Sequence, residues 1–189
     1  MLEITLTSRA KGDERVPMAG VPYHAARGYV ARLVERGYKV AICDQVEEPG
    51  PGKNIVRREV TRVITPGMVL DEELLEARSD HFLAARAPGG GLALLDASTG
   101  EFRAAQLEDR ESLARELSSA GPREVIVPAG SDLEALARAA LPDAFVHDDD
   151  PAAFEGRRAD ALLRKQLAVA TLDAFGLAGL PAAVCAAGA

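Results

Sequence analysis

Apolar residues recur with two different periods along this chain, and the period changes where glycine and proline punctuate it. Leu2 to Arg9 alternates, with Ile4 and Leu6 on one side and Thr5 and Thr7 on the other, which predicts a strand followed by a polar loop over Ala10 to Arg15. Pro22 suits the first turn of a helix, where the N–H it lacks would have no partner. From Tyr23 the apolar positions Ala26, Tyr29, Val30, Leu33 and Val34 keep helical spacing, while Arg27, Arg32, Glu35 and Arg36 take the opposite face. Gly37 is placed to end this helix in a left-handed conformation. Val40 to Cys43 is a short apolar run of the kind that enters a covered sheet. Pro49 to Asn54 is rich in turn formers. Ile55 to Ile64 then predicts a second long strand, whose alternation puts Val56, Arg58, Val60, Arg62 and Ile64 on one face.

Leu70 to Asp80 is acidic and helix-prone but lacks a wide apolar face, which suits a linker. HFLAARA, LALLDA and EFRAAQ follow as three strands, with turns at Pro88 to Gly91 and Ser98 to Gly100. Asp109 is placed to cap a helix that turns Leu113, Ala114 and Leu117 inward and stops at Gly121 and Pro122. Glu124 to Val127 predicts a fourth strand. Ser131 with Glu134 reads as a capping box, opening a helix that presents Leu133, Leu136, Ala137 and Ala140. Phe145 and Val146 suggest a fifth strand, and Arg157 to Phe175 one long helix around Leu163, Leu167, Ala170 and Ala174. The expected fold class is α/β in two small domains, over residues 1–69 and 81–189, joined by a linker over 70–80.

Composition changes this picture in three respects. An apolar content of 48% with no Trp predicts aliphatic, alanine-rich cores. No apolar run approaches the ~20 residues needed to cross a bilayer, and no charged leader precedes an apolar stretch, so a cytoplasmic location is expected. The two cysteines, Cys43 and Cys185, stand far apart without a metal-ligand pattern and are expected as reduced, mostly buried thiols. The net charge of −7 is unevenly spread. Residues 1–70 carry 11 Lys and Arg against 8 Asp and Glu, whereas residues 71–189 carry 11 against 21. A mildly basic half beside a strongly acidic one suggests a polyanion-facing module joined to one that avoids polyanions.

VPMAGVPYHAARGYVARLVERGYKVAICDQVEEP, Val16 to Pro49, followed by REVTRVITPGMV, resembles the mismatch-recognition domain of the bacterial MutS family of DNA mismatch repair proteins. DEELLEARSDHFLAA, LALLDASTGEF and the closing AAVCAAGA resemble that family's linker, connector domain and following helix. The resemblance implies a mixed-sheet recognition domain and a ribonuclease-H-like connector. It also implies that this chain is part of a longer protein, cut at both ends, the first domain lacking its leading strands and the second ending inside a helix. Residues 1–69 alone would then have little core, because small domains bury only ~60% of the surface their unfolded chains expose.

The family senses mismatches with a Phe-x-Glu motif, expected upstream of Met1. No Phe-x-Glu triplet occurs here, so no wedge residue is assigned. The resemblance places Arg9, after the ITLT strand, and Arg62, within REVTRVITPG, beside the DNA backbone. Met18 in the PMAG turn and Lys11 are weaker candidates, Met18 having core packing as its ordinary alternative. The implied partners are mismatched duplex DNA, MutL docking through the connector, and a second copy in a homodimer. ATP and Mg²⁺ are cofactors of the family through parts beyond Ala189. The phosphate-cradling pattern G-x-x-x-x-G-K-[ST] is absent, GPGK at Gly50 to Lys53 lacking both its spacing and its hydroxyl residue.

No catalytic or metal-binding residue is expected, and His24, at a helix start, reads as a cap or packing residue. Two other classes of function stay open on the residues alone. One is a protein-only adaptor. The other is a Mg²⁺-dependent nuclease, since Asp96 ends an apolar strand as a ribonuclease-H-like metal ligand would, with Glu101 and Asp173 as further carboxylates. The turn Asp-Ala-Ser-Thr-Gly is also a good hairpin in its own right.

Overall fold

The computed structural model describes residues 2–11, 14–48, 56–68 and 82–189, arranged as two compact units, Met1–Thr65 and Pro66–Ala189. The predicted turn over 49–54 and linker over 70–80 lie outside the described residues.

In the first unit, β1 (Thr7–Lys11) and β2 (Glu14–Met18) form an antiparallel hairpin in the register Thr7↔Met18 to Lys11↔Glu14. The strand expected over 2–9 therefore starts at Thr7, and the expected loop over 10–15 supplies residues to both strands. Hairpin pairing sets these boundaries, because a strand persists only where a neighbour accepts its backbone hydrogen bonds. A 3-10 turn at Tyr23–Ala25 leads into α1 (Ala26–Val34). Gly37 has φ 81° and donates its N–H to Val34 O at 2.8 Å, closing the helix in the left-handed conformation expected of it. His24 is exposed at this start and makes no capping bond, so it neither caps nor packs.

β3 (Val40–Gln45) and β4 (Arg58–Ile64) make a second antiparallel pair. Among this unit's described residues, only Val34 and Ile64 are buried apolar side chains. The expectation of a covered sheet and a buried Cys43 fails here: Cys43 is exposed, because a two-stranded sheet cannot shield both of its own faces.

The second unit is built on a five-stranded mixed sheet of order β7-β6-β5-β8-β9. β5 (Phe82–Ala87), β6 (Gly91–Asp96) and β7 (Glu101–Gln106) are the three predicted leading strands, mutually antiparallel. β8 (Glu124–Pro128) and β9 (Phe145–Asp149) add in parallel. The α/β expectation holds, three leading strands being followed by alternating helices and strands. On one face α2 (Arg110–Ala120) and α3 (Leu133–Ala140) bury Leu113, Leu117 and Ala137 against Phe82, Ala84, Leu92, Leu94, Val125, Val127 and Val146. On the other face Ala85, Ala87 and Ala93 are small enough for α5 (Pro181–Ala187) to lie close on the sheet, with α4 (Gly156–Gln166) packed against it.

Two predicted helix signals are overturned. The capping box does not form: α3 starts at Leu133, Asp132 is the N-cap, and the Ser131 hydroxyl donates to Pro128 O at 2.7 Å while Glu134 pairs with Arg138. Ser131 lies one residue before the N-cap, and its hydroxyl is used on the preceding turn instead. The long helix over 157–175 stops at Gln166, where Ala168 takes φ 55° and Val169 N–H bonds Arg164 O at 3.0 Å. Leu172 and Leu177 then fold back onto Leu163 and Ala183. Apolar residues at helical spacing can be buried by a returning chain as well as by a continuous helix.

Candidate nucleic-acid interface

The β1–β2 hairpin collects three of the four predicted contact residues on one two-stranded sheet. Arg9 stands opposite Val16, Lys11 opposite Glu14 and Thr7 opposite Met18. The Thr7 hydroxyl donates to Met18 O at 2.9 Å, pinning the end of the hairpin beside the PMAG turn. Met18 is 46% exposed and Val16 equally so, so Met18 is not part of a buried core among the described residues.

Arg62 lies apart from these, exposed on β4 opposite Ile42. Here the structure corrects the predicted alternation. The register skips between Ile42 and Cys43, so that Ile42 pairs with Arg62, Cys43 with Val60, and Thr61 is the extra residue of a β-bulge. Residues opposite one another across a ladder share a face, whereas Ile42 and Cys43 point to opposite faces. Arg62 therefore shares the face of Val40, Ile42 and Ile64, and Arg58 and Val60 share the other. The Thr61 hydroxyl donates to Asp44 Oδ2 at 2.5 Å, which holds the bulge. A bulge leaves no mark in an apolar pattern, so the reversal could not be read beforehand. Arg57, the residue before this strand, is ion-paired with Glu59.

In the second unit the carboxylates weighed for metal chemistry stand in three separate local settings. Asp96 is 3% exposed, and its Oδ1 accepts from Ser98 N at 2.8 Å, Ser98 Oγ at 2.6 Å and Thr99 N at 3.3 Å. Glu101 pairs with Arg103, and Asp173 opens a separate 3-10 turn. Among the described residues no group of three or more His, Cys, Asp or Glu side chains is arranged to hold a metal ion. A cavity of about 380 Å³ lies between the end of β5 and the starts of α2 and α3. Arg86 lines it, 6% exposed, with its Nε buried and without a hydrogen-bond partner. Burial pushes the Arg86 guanidinium below its ordinary value, Asp132 offsetting this and Arg110 adding to it. With Arg86 and Arg110 facing Glu108, Asp109 and Asp132, the lining carries no positive surplus for an anion.

The comparisons with known proteins assign both units. The family model described as MutS domain I matches residues 1–73, and that described as MutS domain II matches residues 78–189. The chain belongs to the MutS family. Curated proteins called DNA mismatch repair protein MutS align with the whole chain. That of Myxococcus xanthus is 55% identical over 197 residues, that of Anaeromyxobacter dehalogenans 54% over 194 and that of Symbiobacterium thermophilum 45% over 201. The chain spans only 22%, 21% and 23% of these relatives respectively, and so corresponds to MutS domains I and II. No helix among the described residues is long and apolar enough to cross a membrane.

Proposed function

We propose that this chain is the DNA-facing and interdomain part of a cytoplasmic mismatch repair protein, without catalytic residues of its own. The whole protein would bind mismatched duplex DNA as a homodimer and hydrolyse ATP with Mg²⁺ through regions outside the matched fifth. The observation that carries the reading is the match to MutS domains I and II over nearly the full chain. Supporting it, Arg9, Lys11, Met18 and Arg62 all stand in the two strand pairs of the mildly basic first unit. They would contact phosphates and the groove edge, positioning the duplex without reading its sequence. The acidic second unit would repel the duplex and serve as the docking module for MutL.

Each phosphate neutralised adds ~0.9 to the magnitude of the slope of log affinity against log salt. Duplex titrations across a salt series on the wild type, Arg9→Ala, Arg62→Ala and Arg58→Ala test the reading. Loss of slope in Arg9→Ala and Arg62→Ala with none in Arg58→Ala, which shares neither Arg62's face nor the hairpin, is the expected result. Equal slopes in all four would remove DNA contact from these residues. Binding to MutL without any duplex binding would favour the adaptor. Mg²⁺-dependent cleavage abolished in Asp96→Asn would favour the nuclease.

A further inference from the structure

We propose that Glu124 and His147 form a latch for the strap Pro66–Gly67, and that this latch sets how much free chain separates the two units. Glu124, on β8, is 2% exposed and is among the largest fully buried side chains of the chain. Its Oε2 accepts from the Gly67 N–H at 2.9 Å, and its Oε1 lies 2.7 Å from His147 Nε2, itself only 15% exposed. Val125, Val127 and Val146 face α2 and α3, so Glu124 and His147 belong to the opposite face of the sheet, where alternation along β8 and β9 places them together. Leu83 of β5 is the register partner of Glu124, and Gly67 lies on this pair.

The fit at position 67 is specific to glycine. A Cβ there would stand 2.8 Å from Glu124 Cβ and 3.1 Å from both Cα and Cβ of Leu83, two strands that cannot move aside without opening the sheet. Burying a carboxylate is expensive unless it is paired and hydrogen-bonded, so the strap amide and the imidazole together keep Glu124 inside. His147 also faces two acceptors, since its Nδ1 lies 3.3 Å from Asp148 O. A neutral imidazole can donate to only one of them, and an imidazolium to both.

Only Thr65 and Pro66 separate the last residue of β4, Ile64, from the latched Gly67. With the strap released, Gly67 no longer ends the connection that follows Ile64, and the tether runs on past position 67. A longer tether lowers the effective concentration of one unit around the other and enlarges the space each can explore. One hydrogen-bonded amide thus switches the chain between a short and a long connection.

The test uses the full chain and reads backbone-amide exchange by NMR, together with the distance distribution between nitroxides at Cys43 and at Leu162→Cys in a Cys185→Ala background. In the wild type the Gly67 amide is expected to exchange at least ~10-fold slower than a solvated loop amide, since exchange requires the protecting bond to open. Glu124→Ala and Gly67→Ala are each expected to raise exchange over positions 65–68 by ~10-fold or more and to broaden the distance distribution, with β5, β6 and β8 amides unchanged. If Glu124→Ala unfolds the second unit, Gly67→Ala decides, because it leaves the Glu124–His147 pair in place. A fast Gly67 amide in the wild type, or an unchanged distribution in Gly67→Ala with positions 65–68 still protected, would overturn the latch. These outcomes do not depend on whether the chain binds DNA.

Discussion

Gly91 of β6 lies so close beneath the carbonyl of Ala182 in α5 that a Cβ at position 91 would stand 2.0 Å from the oxygen and 2.6 Å from its carbon. The N-terminus of α5 is held at this spot, since Ala182 N–H donates to Gln106 Oε1 at 2.9 Å. The neighbouring sheet positions Ala85, Ala87 and Ala93 are small for the same reason: a helix without bulky side chains gains contact only by approaching closely. Gly91→Ala must push α5 off the sheet, and the expected cost is on the order of 1–3 kcal/mol or more. Gly28→Ala is the counterpart, in the first turn of α1 with open space around the added methyl. It should stabilise the first unit by ~0.5–1 kcal/mol through reduced unfolded-chain entropy. Urea melts read with a probe in each unit check both signs.

Leu117 is 1% exposed in the cluster beneath α2, whereas Leu162 on α4 is 51% exposed. Leu117→Ala should destabilise the second unit by about 2–5 kcal/mol, and Leu162→Ala by no more than ~0.5 kcal/mol. Thermal unfolding of the two variants side by side tests the difference. Equal shifts would mean that α2 does not cover the core.

The Asp109 carboxylate caps α2 by accepting from Ser112 N–H at 2.7 Å. That bond, followed by one from the Ser112 hydroxyl, holds its pKa below the ordinary 3.8. A group whose folded pKa is depressed contributes stability above its unfolded pKa and loses it as pH falls through the folded value. The stability gap between wild type and Asp109→Ala should therefore be full at about pH 6 and shrink as pH drops below the ordinary carboxylate range. Asp109→Asn keeps the acceptor and carries no charge, so its gap to Asp109→Ala should stay nearly constant across that range. Paired urea melts at several pH values decide it.

The first unit buries only Val34 and Ile64 among its described apolar residues, while Val60 and Val63 are 59% and 56% exposed. Its amides should exchange through low-energy openings, ahead of those in β5, β6 and β8. Hydrogen exchange followed by mass spectrometry on the full chain measures this. Equal protection of both units would show that Val34 and Ile64 hold more than their burial suggests.

Elements whose signal is local were readable from the residues. The left-handed Gly37 and the Asp109 cap depend on nothing beyond a few neighbours, so residue type fixed them in advance. The three leading strands of the second unit are separated by turn formers whose backbone preference holds in any context. Family membership was readable too, since ordered strings such as PMAGVPYHA and REVTRVITPG survive independently of any coordinate.

Partnership decided the rest. The hairpin at Thr7 to Met18 begins where two strands can exchange hydrogen bonds, and the apolar alternation of Leu2 to Leu6 finds no such partner among the described residues. The bulge at Thr61 turned Arg62 to the face opposite Arg58, because a one-residue insertion reverses every side chain after it without changing the composition. The fold-back at Ala168 and the meeting of Gly67 with Glu124, 57 residues apart, arise from packing between distant segments. Sequence order thus supplied the kinds of element and the kin of the chain. Which face a charge occupies, and which glycine a buried carboxylate holds, depended on register and close contact that only the folded chain creates.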